Sequence, residues 1–129
     1  VTGVQTCALP ISADEKNSSM VKAPFGIVGM ETAAALTYTE LVLGGYLTPM
    51  QMVEKMSYNP AQILHLKKGT LEEGRMADVM LFDPECTYAI DKNKFWSKAK
   101  NTPFHGRKVT GKVMMTICDG KIVYDAAEE

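Results

Sequence analysis

Pro24-Phe25-Gly26-Ile27-Val28-Gly29-Met30-Glu31-Thr32-Ala33 is the stretch on which the reading of this chain turns. An apolar Pro-Phe-Gly loop runs straight into a helix start. Glu31 supplies a first-turn carboxylate, where the helix dipole favours negative charge. Ala34, Tyr38 and Leu41 then fall at helical spacing, which predicts a helix from Glu31 to about Leu43. Gly44-Gly45 ends it, because glycine readily takes the left-handed conformation of a helix terminus.

Working outward, the next signals are caps. Thr48 and Gln51 have the Thr-x-x-Gln spacing of a capping box, with Leu47 and Met52 at the positions of a hydrophobic staple. Pro49 sits at the first helical position, where its missing N–H costs nothing. Val53 and Met56 are read as continuing the buried face. Asn59-Pro60-Ala61-Gln62 repeats the logic and predicts a third, short helix through Ile63, Leu64 and Leu66.

The chain divides near Lys67-Lys68-Gly69, after which the period becomes two. Ala77 to Phe82 reads as a short apolar strand closed by Asp83-Pro84 turn chemistry, and Tyr88-Ala89-Ile90 as a weaker second strand. Val109 to Cys118, Asp119-Gly120 and Lys121 to Tyr124 form a hairpin with a type I′ turn. Val113, Met115 and Ile117 fall on one strand face, Met114, Thr116 and Cys118 on the other. Lys92 to Lys100 reads as a solvated basic face interrupted by a packing pair, Phe95 and Trp96. The acidic end from Asp125 is expected to fray. Strands this few do not close a sheet, and would be completed by strands from another segment.

Composition narrows the class. With 129 residues, 46% hydrophobic and 22% charged, the chain is at most one ordinary globular domain. A net charge of −1 leaves no electrostatic footprint for nucleic acid or an anionic membrane. No apolar run approaches the ~20 residues of a membrane span. Cys7, Cys86 and Cys118 are odd in number and lack C-x-x-C spacing, which disfavours a disulfide framework or zinc knuckle and fits a reducing cytoplasm. The nine methionines are read as soft core fillers. His65 is read as a helix-end side chain, His105 as a turn residue, and Asp78 and Asp83 as turn or cap carboxylates.

Several stretches together resemble dihydroorotase, a zinc amidohydrolase. They are Pro24-Phe25-Gly26 running into Glu31-Thr32-Ala33, Gly45 to Gln51 with Asn59-Pro60-Ala61, and Asn101-Thr102-Pro103-Phe104-His105-Gly106-Arg107 through Gly120. Gly69 to Asp78 resembles the G-x-L/I-x-x-G-x-x-A-D turn shared with hydantoinases, allantoinases and ureases, so it speaks only for the superfamily. In the family an Asp-His-Ala-Pro-His run with the catalytic, metal-binding aspartate lies just before the position of Asp14. Here that place is held by Cys7, Ala8, Leu9, Pro10 and Ile11, and only the proline matches. Val1 to Ile11 instead resembles a translated sequencing adapter, so residues 1–12 are expected to be non-native.

The resemblance implies an α/β fragment: the final helices of a TIM-type (β/α)8 amidohydrolase barrel, followed by strands of a small β-sandwich. Residues 13–68 would close the barrel, with the substrate loop and helices, and residues 69–129 would form the C-terminal part of the sandwich. The implied activity is the reversible cyclisation of N-carbamoyl-L-aspartate to L-dihydroorotate in pyrimidine biosynthesis. The substrate-binding residues carried over are Phe25 and Gly26; no catalytic residue and no metal ligand is carried over. Zn2+ belongs to the intact family enzyme and is not expected on this fragment. A homodimer or association with aspartate transcarbamoylase is implied as a partner. The alternatives are a non-catalytic dihydroorotase-like partner of that transcarbamoylase, a hydantoinase or allantoinase, and a complete small binding module.

Overall fold

A computed structural model describes residues 11–19, 21–24 and 26–128. They fall into two compact units, each assembled from two stretches of chain. One takes the residues up to Ala34 together with Tyr88–Val109; the other takes Ala35–Thr87 with the residues from Thr110 on.

In the first unit, Ser12 opens helix α1 (Ala13–Lys16) with a capping box. The Ser12 hydroxyl accepts the Glu15 N–H at 3.3 Å, and the Glu15 carboxylate takes the Ser12 N–H at 3.1 Å and its hydroxyl at 2.6 Å. The Gly26 loop follows, and then the first turn of α2 (Met30–Thr37). Among the described residues of this unit, Ile11, Val28, Thr32, Ile90, Ala99 and Val109 are buried. Ile90 donates to the Arg107 carbonyl at 3.0 Å and accepts from the Gly106 N–H at 2.7 Å, pinning the two sides of the intervening loop.

The expected packing pair in that loop is only half present. Phe95 is half-buried, whereas Trp96 is 78% exposed. The backbone decides this, because Glu31 accepts the Trp96 N–H at 2.9 Å and the Ser97 N–H at 3.1 Å. Glu31 thus sits in the first turn of its helix, as expected, and also holds a distant loop. Lys100 is not simply solvated: its ammonium donates to the Phe95 carbonyl at 2.6 Å.

In the second unit, α2 widens into a π-type turn over Tyr38–Val42, with the Leu43 N–H reaching the Tyr38 carbonyl at 2.9 Å. The helical run then stops at the glycine pair, Gly45 taking φ 79°. Thr48 makes the predicted capping box with Gln51 at the start of α3 (Pro49–Val53). Asn59, however, caps nothing. It lies at φ −61°, ψ −45° inside a continuous run from α3 through a second π-type turn (Glu54–Tyr58) into α4 (Asn59–Ile63). Pro60 has no N–H to offer the preceding turn, and the widened Asn59 to Glu54 bond absorbs that loss without ending the helix.

Val53, next to Met52 in a regular turn, points about 100° away from it, and the widening takes Met56 off the line of Met52. They are 52% and 42% exposed, where Met52 is 7%. The methionine expectation also reverses: Met30, Met50, Met56, Met76, Met80 and Met114 are exposed, and Met52 is the buried one among the described residues. The run ends in a Schellman motif. His65 stands at φ 54° in the left-handed position, its N–H bonds the Gln62 carbonyl at 3.1 Å, and Leu66 bonds Ala61 at 2.8 Å.

The sheet has the order β1-β2-β3, with β1 Val79–Ala89, β2 Lys108–Cys118 and β3 Lys121–Asp125. Asp83-Pro84 does not close the first strand, so the two expected strands are one. The Asp83 carboxylate accepts the N–H groups of Glu85 at 2.8 Å and Cys86 at 3.3 Å, bending the strand past a proline that an edge position tolerates. The β2–β3 hairpin turns at Asp119 (φ 50°) and Gly120 (φ 74°), as a type I′ turn requires. A bulge follows, because Thr116 pairs with Tyr124 and Ile117 with Ile122, leaving Val123 over. The expected two faces of β2 are blurred: Met114 and Cys118 are exposed, while Val113, Met115, Thr116 and Ile117 are all half-buried.

Helix and sheet meet at Gly111, whose φ is 99°. A Cβ there would strike the Phe82 ring and come 3.1 Å from Tyr38 Cδ1. Those rings pack edge to face with centroids 5.3 Å apart. Beside them the Thr39 hydroxyl accepts the Thr110 N–H at 2.8 Å and donates to the Ala35 carbonyl at 2.8 Å. No helix among the described residues is long and apolar enough to cross a membrane.

Candidate functional site

Of the two candidate substrate-binding residues, Phe25 lies outside the described residues and Gly26 lies within them. Gly26 stands at φ 134°, a conformation that any side chain would strain. Its carbonyl accepts twice, from Lys16 Nζ at 3.1 Å and from Asn101 Nδ2 at 3.2 Å. Lys16 also donates to the Pro24 carbonyl at 2.9 Å, so one ammonium ties both shoulders of the loop. Two residues on, the Val28 N–H donates to the Asn101 carbonyl at 3.0 Å. The loop is therefore held by side chains and backbone from α1 and from residue 101.

Two groups are left over at this site. Asn101 Oδ1 is buried and has no hydrogen-bond partner among the described residues. Exchanging the amide's oxygen and nitrogen would set an oxygen against the Gly26 carbonyl, so the orientation is fixed by the bonding. The Gly26 N–H makes no hydrogen bond among the described residues. A backbone carbonyl fixed by two donors beside an unengaged N–H is suited to receiving a ligand oxygen, and it binds and orients rather than reacts. Sequence reasoning missed Lys16 and Asn101. Asn101 opens a stretch quoted for the family resemblance, but no local pattern announces a lysine or asparagine aimed at a distant carbonyl.

The remaining candidates take ordinary roles. His65 ends a helix. His105 Nδ1 accepts the Lys92 N–H at 3.3 Å and stands 3.8 Å from the Asp91 carboxylate. Asp78 pairs with the Lys68 ammonium and accepts the Asp119 N–H at 2.8 Å, anchoring the hairpin turn. The Lys68 bond, then the Asp119 N–H, hold the Asp78 carboxyl below its usual range, and the Asp78 bond raises Lys68. Ser12 lowers Glu15 in the same way through its hydroxyl and N–H.

A cleft of about 280 Å³ is lined by Gln62, His65, Lys67, Lys68, Thr70 and Arg75. Its basic character is largely spent: Lys68 is paired with Asp78, and Arg75 with Glu72 at 2.9 Å. Among the described residues no three His, Cys, Asp or Glu side chains gather where they could hold a metal ion. The described residues alone thus bring together no donor set of the kind a catalytic zinc needs.

Comparison with known proteins sets these features in context. A profile of the Amidohydrolase family matches residues 5–123. The dihydroorotase of Clostridioides difficile (strain 630) is 46% identical over 123 residues, which are 95% of this chain and 29% of that protein. The dihydroorotase of Acetivibrio thermocellus is 48% identical over 120 residues, 93% of this chain and 28% of that protein. The chain thus spans under a third of the length of these relatives. Among solved structures, dihydropyrimidinase from Brevibacillus agri NCHU1002 superposes with a TM-score of 0.83 at 26% identity, covering 93% of this chain and 27% of its own. L-Hydantoinase from Arthrobacter aurescens gives 0.76 at 34% identity, covering 81% and 24%.

Proposed function

Because the chain belongs to the amidohydrolase family, a family of hydrolases, we propose that it is the C-terminal portion of a dihydroorotase, interconverting N-carbamoyl-L-aspartate and L-dihydroorotate. The observation that carries this reading is the doubly anchored Gly26 carbonyl beside an N–H that no described residue engages, inside the Pro-Phe-Gly stretch. Identities of 46% and 48% to dihydroorotases, against 26% and 34% to the dihydropyrimidinase and hydantoinase, favour this substrate over a hydantoin ring.

In this reading residues 13–68 close a TIM-type barrel and residues 69–129 contribute to a β-sandwich beside it. Active sites of such barrels lie at the strand C-termini, in the loops that follow them, which suits the Gly26 loop preceding α2. Apolar side chains left largely in the open support a larger body around this piece: Met50 is 76% exposed, Ile63 75%, Leu64 66% and Leu71 85%. The metal ligands and the proton-shuttling aspartate would come from segments outside this sequence, and residues 1–12 would be foreign to it. A zinc ion held by ligands from those other segments would supply hydroxide near neutral pH and polarise the amide carbonyl. This chain's own part is to present the Gly26 N–H to a substrate oxygen and to keep that loop from moving. The compartment in this reading is the cytoplasm, with a homodimer or aspartate transcarbamoylase as the partner.

The test is an assay of the complete parent protein on L-dihydroorotate, dihydrouracil and hydantoin. Dihydroorotate should be preferred by roughly 10⁴-fold in kcat/KM, the discrimination expected of a site built to bind the substrate's carboxylate. Preference for either unsubstituted ring would assign the chain to a hydantoinase-type enzyme, and no turnover at all to a non-catalytic relative.

A further inference from the structure

We infer that Asn101 is a positioning residue for the substrate loop, fixing from 75 residues away the Gly26–Ile27 peptide that follows the Gly26 N–H; the inference rests on the reading of Gly26 as substrate-lining. The geometry is a bracket. Asn101 Nδ2 donates to the Gly26 carbonyl at 3.2 Å, and the Asn101 carbonyl accepts the Val28 N–H at 3.0 Å, so one residue grips both ends of Gly26-Ile27-Val28. Gly26, at φ 134°, has the widest conformational freedom of any residue type and would swing without that grip. Lys16 shares the carbonyl but is half-exposed on a flexible stem, so it supplies charge more than direction. The rigid amide supplies the direction.

The orphaned Oδ1 argues that the residue is there for more than packing. A buried acceptor without a partner opposes folding, and a purely structural loop is better served by a side chain carrying the donor alone. Such unsatisfied groups call for a specific explanation. Here the explanation is that only a side-chain amide reaches the Gly26 carbonyl with a planar, oriented N–H donor, and its oxygen comes with it.

The experiment compares Asn101→Ala, Asn101→Gln and wild type in the complete parent enzyme, with N-carbamoyl-L-aspartate as the probe. Asn101→Ala should raise KM about tenfold while kcat stays within about twofold, the pattern of lost ground-state positioning. Amide hydrogen exchange over residues 26–28 should quicken in step, and Asn101→Gln, which keeps the donor, should recover part of both. KM within twofold of wild type in a folded Asn101→Ala enzyme would overturn the inference, as would a fall in kcat that tracks thermal stability while KM stays put. Where Asn101→Ala fails to fold, Asn101→Asp keeps the side chain's shape and removes the donor to the Gly26 carbonyl, and unchanged KM and exchange there would also overturn the inference. Should the wild-type parent turn over no carbamoyl aspartate, the substrate reading fails, and the exchange of residues 26–28 alone decides the role of Asn101.

Discussion

The two units of this chain are held by different kinds of bond. In the second unit much of the order is local: a capping box at Thr48, a Schellman ending at His65 and a type I′ turn at Asp119-Gly120. In the first, two loops are fixed by side chains from far along the sequence: Glu31 on Trp96 and Ser97, and Asn101 on Gly26. The difference teaches where function can sit. A regular element forms wherever its residues allow it, whereas a loop that must present one backbone group to a ligand is clamped from outside.

The largest effect should come from breaking a place where the second unit leaves local rules behind. Gly111→Val puts a branched side chain at φ 99° and into the Phe82 ring. A cost of about 3 kcal/mol is expected, combining backbone strain and overpacking, read as a drop in the urea midpoint. Wild-type stability in this variant would mean that helix and sheet do not meet at Gly111.

A smaller effect tests the clamps of the first unit. Glu31→Ala removes the acceptor for two backbone N–H groups and a first-turn carboxylate, and should cost about 1 kcal/mol because the site is exposed. Exchange should accelerate at Trp96 and Ser97 and hardly elsewhere. Uniform acceleration would make Glu31 part of the core rather than a loop clamp.

The smallest expected effect is a pH dependence at the hairpin anchor. Asp78 has its carboxyl lowered from an ordinary 3.8, so its stabilisation is complete above that pH and lost as pH falls through the lowered value. Lys68 is raised from 10.5, so its share is present below that pH and lost as pH rises through the raised value. Asp78→Asn should flatten both limbs for the Asp119 amide's exchange protection. Unchanged limbs would place the pH sensitivity elsewhere.

Legibility followed the same divide. Thr48 with Gln51, and Asp119 with Gly120, could be read from the sequence because cap and turn chemistry spans four residues or fewer. Asn59-Pro60 misled because it carries a start signal that the preceding wide turn overrides, and Asp83-Pro84 because an edge strand absorbs a proline. Val53 misled because it neighbours Met52 and so points about 100° away from the buried face, and Met56 because helical period assumes a regular helix, which the π-type turn at Glu54–Tyr58 breaks. At the candidate site Gly26 is singled out by its motif. Lys16 and Asn101 are not, since nothing in a one-dimensional pattern says which carbonyl a distant amide will find.

The most direct measurement is the genomic sequence preceding Ala13. The account predicts an Asp-His-Ala-Pro-His run where Cys7 to Ile11 now stand, with a His-x-His pair far upstream to complete a metal site. A gene that encodes Val1 to Ile11 as written, with neither motif before them, would contradict it.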